Sequence, residues 1–344
     1  KEGEGTSFTI RLPFTLAIPD AAIDDLRQRL AGTRWPDEPP PPPWSTGTSV
    51  DYLRDLVGWW QRDYDWRRTE SALNAFDQYR VRIDDLDLHF LKVAGKGPAG
   101  GPEPMPLLLS HGWPGSVLEF LKLLPLLTDP AAHGADPADA FTVIAPSLPG
   151  YTLSHHPGQR RHGVAEMAAL LHRLMTDCLG YRRYGAQGGD WGSFITARLA
   201  ATEPRSLIGI HLNMLPLRRE LARYDGDDPA LRQYRDELDT FLREETGYQA
   251  IQGTRPQTLA FALADSPVGL AAWIVEKFQR WTDCAGHPEN ALTRDEMIGD
   301  ISLYWFTGCI GASFWPYYAR AHGPWPIPDT ERIEVPAGYA AFPK

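Results

Sequence analysis

The chain has 344 residues and a formal net charge of −10 at pH 7, from 34 Lys and Arg against 44 Asp and Glu. An acidic surface of this kind argues against nucleic acids and anionic membranes as partners, because both would be repelled. The three cysteines are far apart and odd in number. We therefore expect no complete disulfide framework and no cysteine metal site, but reduced thiols in a cytoplasmic protein.

The first 77 residues are predicted to form an N-terminal meander with helices. Ile23, Leu26 and Leu30 recur on one helical face. A run of five prolines then extends the chain. A second amphipathic helix is predicted from about residue 50 to 66.

Residues 78–213 have the pattern of a sheet with flanking helices. Alternating apolar residues from Tyr79 to Phe90 indicate a hairpin. Strand patterns then alternate with helical ones, which favours parallel βαβ units and hence an α/β fold with a mostly parallel, doubly wound sheet. The predicted strands lie in MPLLLSHG, AFTVIAPSLPG, YRRYGAQ and SLIGIHLN.

Residues 214–320 depart from this alternation, because they are helical and rich in aromatic side chains. We interpret them as a helical cap inserted over the sheet. A strand pattern returns in ERIEVPAGYAAF, within residues 321–344. This last region is expected to be the second part of the core, incomplete at its C-terminus.

The sequence GGDWGS, residues 188–193, places Asp190 at the centre of a G-x-D-x-G pattern between a predicted strand and a predicted helix. A nucleophile on such a strand-to-helix turn needs small residues two positions to either side, and Gly188 and Gly192 meet this requirement. Asp190 is therefore the candidate nucleophile.

An earlier strand leads into HGWPGS, residues 111–116, where an oxyanion loop is expected. Backbone N–H groups of Trp113 and Trp191 would form the oxyanion hole, and their rings would line the substrate pocket. His111 is interpreted as a residue that orients the loop through hydrogen bonds, and Ser116 as the cap of the next helix.

Together with TRWPDE at residues 33–38, these motifs make the chain similar to the microsomal-type epoxide hydrolases of the α/β-hydrolase fold. The resemblance extends over essentially the whole chain. It implies that an epoxide and water give a vicinal diol through an ester on Asp190, without a cofactor or metal. Soluble members of this family occur in bacteria, so both detoxification and natural-product biosynthesis stay open as roles.

The resemblance also implies two cap tyrosines that bind the epoxide oxygen, and the matching segments give Tyr248 and Tyr304. A phenol is neutral at pH 7 and can donate a hydrogen bond, as the departing alkoxide requires. The aromatic cap favours an apolar or aromatic epoxide as substrate. A homodimer is possible.

Hydrolysis of an Asp190 ester requires a histidine base and an acid. In the resembling family both follow the segment that matches GYAAFP, so we expect them beyond Lys344. His322 and the pair His155 and His156 are poorly placed in the sequence for this role, and Glu331 and Glu334 fall within the predicted strand.

Two alternatives stay open from the sequence alone. A haloalkane or haloacid dehalogenase shares the aspartate nucleophile and the following Trp, but a halide needs only weak donors, so the paired tyrosines argue against it. The second alternative is a non-catalytic, ligand-binding relative of the same fold.

Overall fold

The structure is a computed structural model that describes residues 11–215, 228–324, 327 and 332–342. Within these residues eight strands form one sheet with the order β1-β2-β3-β5-β4-β6-β7-β8. The strands are β1 (Arg11–Phe14), β2 (Gln78–Ile83), β3 (Leu86–Val93), β4 (Met105–Ser110), β5 (Phe141–Pro146), β6 (Tyr184–Gly188), β7 (Leu207–Leu212) and β8 (Ala337–Tyr339).

The sheet has an antiparallel part and a parallel part. β1, β2, β3 and β5 pair in antiparallel fashion, whereas β5, β4, β6, β7 and β8 are parallel to one another. The predicted hairpin and the mostly parallel α/β sheet are thereby confirmed. Because β4 and β6 are neighbours, with Ser110 paired to Gly188, the loops that follow them meet at the carboxyl edge of the sheet.

The described residues form thirteen α-helices, seven of them in the insertion between β7 and β8. The predicted second helix is present but ends at Arg62, and a further helix that was not predicted begins at Trp66, where the side chain of Asp65 accepts a hydrogen bond from the Arg67 amide and caps it. The helices are α1 (Asp20–Ala31), α2 (Val50–Arg62), α3 (Trp66–Asn74), α4 (Leu123–Thr128), α5 (Val164–Arg173), α6 (Trp191–Thr202), α7 (Pro229–Glu244), α8 (Gly247–Thr254), α9 (Pro256–Asp265), α10 (Pro267–Trp281), α11 (Arg294–Thr307), α12 (Ile310–Ser313) and α13 (Trp315–His322).

The described part of the insertion is helical, as the sequence predicted, and runs from α7 to α13. The strand predicted in ERIEVPAGYAAF is shorter than expected. Only Ala337–Tyr339 pairs with β7, and residues 332–336 are not in a strand. Glu331 lies outside the described residues.

Strand β1 joins the N-terminal region to the sheet. The segment that follows β1 is held against α3 by the carboxylate of Glu70, which lies on that helix. This buried carboxylate accepts hydrogen bonds from the Ile18 amide at 2.7 Å and from the Trp66 indole at 3.1 Å. Arg67 adds an ion pair at 2.6 Å. The boundaries expected after residues 77, 213 and 320 stay predictions, although β1 joins the sheet of the second region.

In the part of the chain that the structure describes, no single helix has the length and apolar character to cross a membrane. Helices α9 and α10 have that length and apolar character only when they are taken together, and the chain bends by 116° between them.

We predict that Glu70→Ala lowers the free energy of unfolding by about 2 to 4 kcal/mol, because it leaves two buried donors without an acceptor. Urea denaturation measures this change. Glu103→Ala, on an exposed loop, is the control and should change stability by less than about 0.5 kcal/mol. Equal effects of the two substitutions would contradict the anchoring role of Glu70.

Candidate active site

Asp190 lies on a strained turn between β6 and α6. Its backbone has φ 47° and ψ −123°, a conformation that L-residues adopt rarely and that costs about 1 to 3 kcal/mol. The turn persists because its flanks are packed backbone against backbone. A Cβ on Gly188 would overlap the carbonyl of Gly192, and a Cβ on Gly192 would overlap the carbonyl of Ser110. Both glycines are therefore required by sterics.

The loop after β4 touches the Asp190 carboxylate directly. The Trp113 amide donates a hydrogen bond of 2.8 Å to Oδ1 of Asp190. A Cβ on Gly112 would collide with the Asp190 side chain. Only a glycine at position 112 lets the loop approach closely enough for this bond. One oxygen of the Asp190 carboxylate therefore lies against a backbone donor.

His111 holds this loop by hydrogen bonds to the backbone. Its Nδ1 is 3.0 Å from the Gly112 carbonyl, and its Nε2 accepts from the Leu148 amide at 3.1 Å. Burial lowers the pKa of His111 to about 4, so the ring is neutral at physiological pH. These contacts agree with its interpretation as an orienting residue.

Helix α11 holds the same loop from the cap side. Tyr304 donates a 2.8 Å hydrogen bond to the Gly115 carbonyl. Ser116 donates a 2.6 Å hydrogen bond to Oδ1 of Asp300. Since Asp300 and Tyr304 are one helical turn apart, a single face of α11 secures residues 115 and 116.

Aromatic rings from the cap surround the carboxylate. Tyr248 stacks on Trp113 with ring centroids 5.4 Å apart and an interplanar angle of 11°. Tyr317 meets Trp191 edge to face at 4.8 Å and lies 5.6 Å from Tyr248. Trp281 contacts Tyr248 at 5.0 Å. Aromatic rings therefore make up much of the surroundings of Asp190, together with the buried Lys277, whose Nζ lies 4.7 Å from the centroid of the Tyr248 ring.

Some polar tips of aromatic side chains near Asp190 are buried without a hydrogen-bond partner among the described residues: the hydroxyls of Tyr151 and Tyr317, and the indole N–H groups of Trp113 and Trp191. An unpaired buried donor costs about 1 to 3 kcal/mol. Several unpaired donors around one carboxylate are expected at a site where a bound substrate accepts their hydrogen bonds.

Two of these tyrosines are in the electrostatic field of Asp190. Burial raises the pKa of Tyr317 well above 10, and the negative charge of Asp190 adds to the shift. Burial and Asp190 also raise the pKa of Tyr151 well above 10. Both phenols therefore keep their protons at neutral pH and can act as donors.

The structure brings Tyr248 into this cluster but gives Tyr304 a different contact, because the Tyr304 hydroxyl bonds to Gly115 instead of facing the aromatic cluster. Tyr317 takes the place beside Tyr248. The sequence analysis missed Tyr317, and no spacing among the thirteen tyrosines distinguishes it. Within the described ranges no group of three or more His, Cys, Asp or Glu could hold a metal ion.

We predict that Gly192→Ala destabilises the protein by roughly 3 kcal/mol, because the new methyl group overlaps backbone that cannot move without breaking the β4–β6 pairing. Thermal unfolding measures this loss. Gly247→Ala is the matched control, since a Cβ there meets nothing within 4 Å. A Gly192→Ala protein as stable as the control would contradict the described turn.

Comparisons with known proteins agree with this geometry. Residues 11–120 match the family described as "Epoxide hydrolase N terminus", and residues 105–292 match the family described as "alpha/beta hydrolase fold". A Stigmatella aurantiaca protein provisionally named an epoxide hydrolase is 45% identical over 332 residues, which cover 96% of this chain and 74% of that protein. Epoxide hydrolase 1 of Oryctolagus cuniculus is 34% identical, over 96% of this chain and 78% of its own length.

Solved structures give the same result. The crystal structure of juvenile hormone epoxide hydrolase from Bombyx mori superposes with a TM-score of 0.85 at 30% identity, covering 96% of this chain and 82% of that one. The Aspergillus niger epoxide hydrolase gives a TM-score of 0.79 at 28% identity, covering 96% and 88%. The chain therefore belongs to the epoxide hydrolases of the α/β-hydrolase fold.

Proposed function

We propose that the protein opens an epoxide with Asp190 and hydrolyses the resulting ester to a vicinal diol. One observation carries this proposal: a carboxylate on a strained turn has one oxygen against a backbone amide, and two phenol hydroxyls in its electrostatic field, those of Tyr151 and Tyr317, have no hydrogen-bond partner among the described residues. A carboxylate can displace an alkoxide from an sp3 carbon, and the product ester has a carbonyl that water can attack later.

In the first step, a carboxylate oxygen of Asp190 forms a bond to an epoxide carbon while the bond from that carbon to the ring oxygen breaks. The negative charge moves from Asp190 to the former ring oxygen. That alkoxide is strongly basic, so it takes a proton from an adjacent donor as it forms.

Tyr248 and Tyr317 are the donors that the geometry supports. They extend from α8 and α13, and their rings are 5.6 Å apart on the cap side of the site. Tyr304, expected from the sequence to share this role, instead uses its hydroxyl to hold the Gly115 carbonyl. We therefore assign Tyr304 to positioning the oxyanion loop and Tyr317 to the substrate.

In the second step, water adds to the ester carbonyl while a histidine base, of the kind that the family resemblance implies, takes one of its protons, and negative charge develops on the carbonyl oxygen. The bond between the carbonyl carbon and the substrate oxygen then breaks, and that oxygen takes the proton and leaves as the diol. The second proton of the water returns to the tyrosine, so that the Asp190 carboxylate and the phenol are both restored.

The Trp113 amide, which already bonds to Oδ1 of Asp190, stabilises the charge on the carbonyl oxygen, and we assign the same role to the Trp191 amide. Both ring nitrogens of His111 are engaged with the loop backbone, so His111 is not the base that activates the water.

The rings around Asp190 support a substrate with a bulky apolar or aromatic group. The Trp113 ring contacts the rings of Tyr248, Trp281 and Phe314, and Tyr248 also contacts Trp281. Stacking and edge contacts with such rings stabilise flat or hydrocarbon groups and give little to small polar ones.

We predict that Asp190→Asn lowers epoxide turnover by more than about 1000-fold, because an amide is a far weaker nucleophile than a carboxylate. Styrene oxide is a suitable probe, and diol formation is measured. Circular dichroism checks that the variant is folded. A folded Asp190→Asn protein with the original rate would exclude the covalent route.

The paired donors give a separate prediction. Tyr248→Phe and Tyr317→Phe should each slow formation of the ester by about 10-fold or more, and the double variant by about 100- to 10,000-fold, because the alkoxide then leaves without a proton donor. Stopped-flow tryptophan fluorescence after mixing with epoxide measures this step.

The matched control for this pair is Tyr318→Phe, because the Tyr318 ring stacks on His322 at 4.1 Å and not on the site aromatics. It should keep the wild-type rate. If Tyr317→Phe behaves like this control while Tyr304→Phe abolishes ester formation, the assignment of Tyr317 is wrong.

A further inference from the structure

Lys277, on α10, has an almost completely buried side chain, and the reaction described above does not use it. Its Nζ lies 4.7 Å from the centroid of the Tyr248 ring, 5.4 Å from that of Trp281 and 5.7 Å from that of Trp273. A lysine is rarely buried to this extent unless its charge is compensated. An ammonium group beside a proton donor therefore needs a functional explanation.

Two kinds of contact compensate the charge of Lys277. Glu276, the preceding residue, forms an ion pair with its Nζ and supplies the opposite charge that an ammonium taken out of water requires. The rings of Tyr248, Trp273 and Trp281 add cation–π attraction, because the face of an aromatic ring carries negative charge density. The positive charge is therefore held against the phenol ring that the proposed reaction uses.

The hydroxyl of Tyr248 has a second contact of the same sense. The side-chain amide of Gln249 donates a 2.9 Å hydrogen bond to the Tyr248 hydroxyl oxygen. A hydrogen bond donated to a phenol oxygen and a cation over the phenol ring both stabilise the phenolate more than the neutral phenol. The contacts of Lys277 and Gln249 therefore both favour loss of the Tyr248 proton.

Tyr317, the other donor assigned above, has different surroundings. In the described part of the chain its ring contacts are with Trp113, Trp191 and Tyr248. Burial among such rings disfavours a phenolate, and it raises the pKa of Tyr317 well above 10. These surroundings favour a neutral hydroxyl that donates a hydrogen bond and keeps its proton.

We propose that Lys277 is a positioning residue that selects Tyr248 as the acid for ring opening, while Tyr317 contributes a hydrogen bond only. As the carbon–oxygen bond of the epoxide breaks, the O–H bond of Tyr248 breaks too, its proton moves to the former ring oxygen, and the negative charge ends on the phenol oxygen. The ammonium attracts this charge more strongly than it attracts the neutral ring, so it stabilises the state after the transfer. The proposal rests on the proposed function, since it requires an ester on Asp190.

The test measures the first step in the full-length protein, by rapid mixing of excess protein with styrene oxide. Acid quenching followed by analysis of the remaining epoxide gives the rate, and intact mass spectrometry of the same samples detects the ester. Lys277→Met keeps the length of the side chain and removes its charge. It should lower the limiting rate by about 10- to 100-fold, with little change in the half-saturating concentration. Lys277→Arg, which keeps the charge, should retain most of the rate.

Combining Lys277→Met with the loss of each phenol separates this role from a structural one. In the Tyr248→Phe background Lys277→Met should slow the first step by less than about twofold, because no phenol proton is left for the ammonium to influence. In the Tyr317→Phe background it should slow the step by the same factor as in the wild type. A structural disturbance would slow both backgrounds alike. The matched control is Lys92→Met, which should keep the wild-type rate, because Lys92 lies 5.8 Å from the ring centroid of Tyr181 and not over a ring of the site.

The failures of the two proposals differ. If the wild type forms no ester, the proposed function is overturned, and the role of Lys277 with it. If the ester forms but Lys277→Met keeps the wild-type rate, or slows Tyr248→Phe as much as it slows the wild type, only the role of Lys277 is overturned. Should Lys277→Met fail to fold because Glu276 is left without its partner, Lys277→Met combined with Glu276→Gln removes both charges and takes its place in every comparison.

Discussion

The contact between the turn after β6 and the loop after β4 is the constraint on which the site depends. It exists because β4 and β6 are parallel neighbours, and it is close because Gly192 packs its backbone against the Ser110 carbonyl. Through this contact the Trp113 amide reaches Oδ1 of Asp190. The energy stored in the Asp190 backbone is offset by packing over the whole interface, so this residue can persist in an unfavourable conformation.

The cap completes the site by holding that loop as well as by lining the pocket. One face of α11 binds residues 115 and 116, while Tyr248 from α8 stacks on the Trp113 ring. Trp113 therefore joins the two halves of the molecule, with its amide on the nucleophile and its ring against the cap. A change in the cap can in this way alter the oxyanion donor without touching Asp190.

The sequence allowed prediction of the features that depend on neighbours along the chain. A period-two pattern predicted the hairpin, the alternation of strand and helix patterns predicted the parallel strands, and glycine spacing singled out Asp190 as the candidate nucleophile. The features it missed depend on tertiary contacts. The contacts of the cap tyrosines are an example, because Tyr304 bonds to the Gly115 carbonyl whereas Tyr317 packs against Trp191 and Tyr248, and the sequence does not distinguish the two arrangements.

The central claim, that the oxygen added to the epoxide comes first from Asp190, is tested most directly by a single turnover in water labelled with oxygen-18. With enzyme in excess over epoxide, the account predicts a diol without label and a labelled carboxylate in the peptide that contains Asp190, both read by mass spectrometry. Label in the diol and none in that peptide would mean that water attacks the epoxide directly, and would contradict the account.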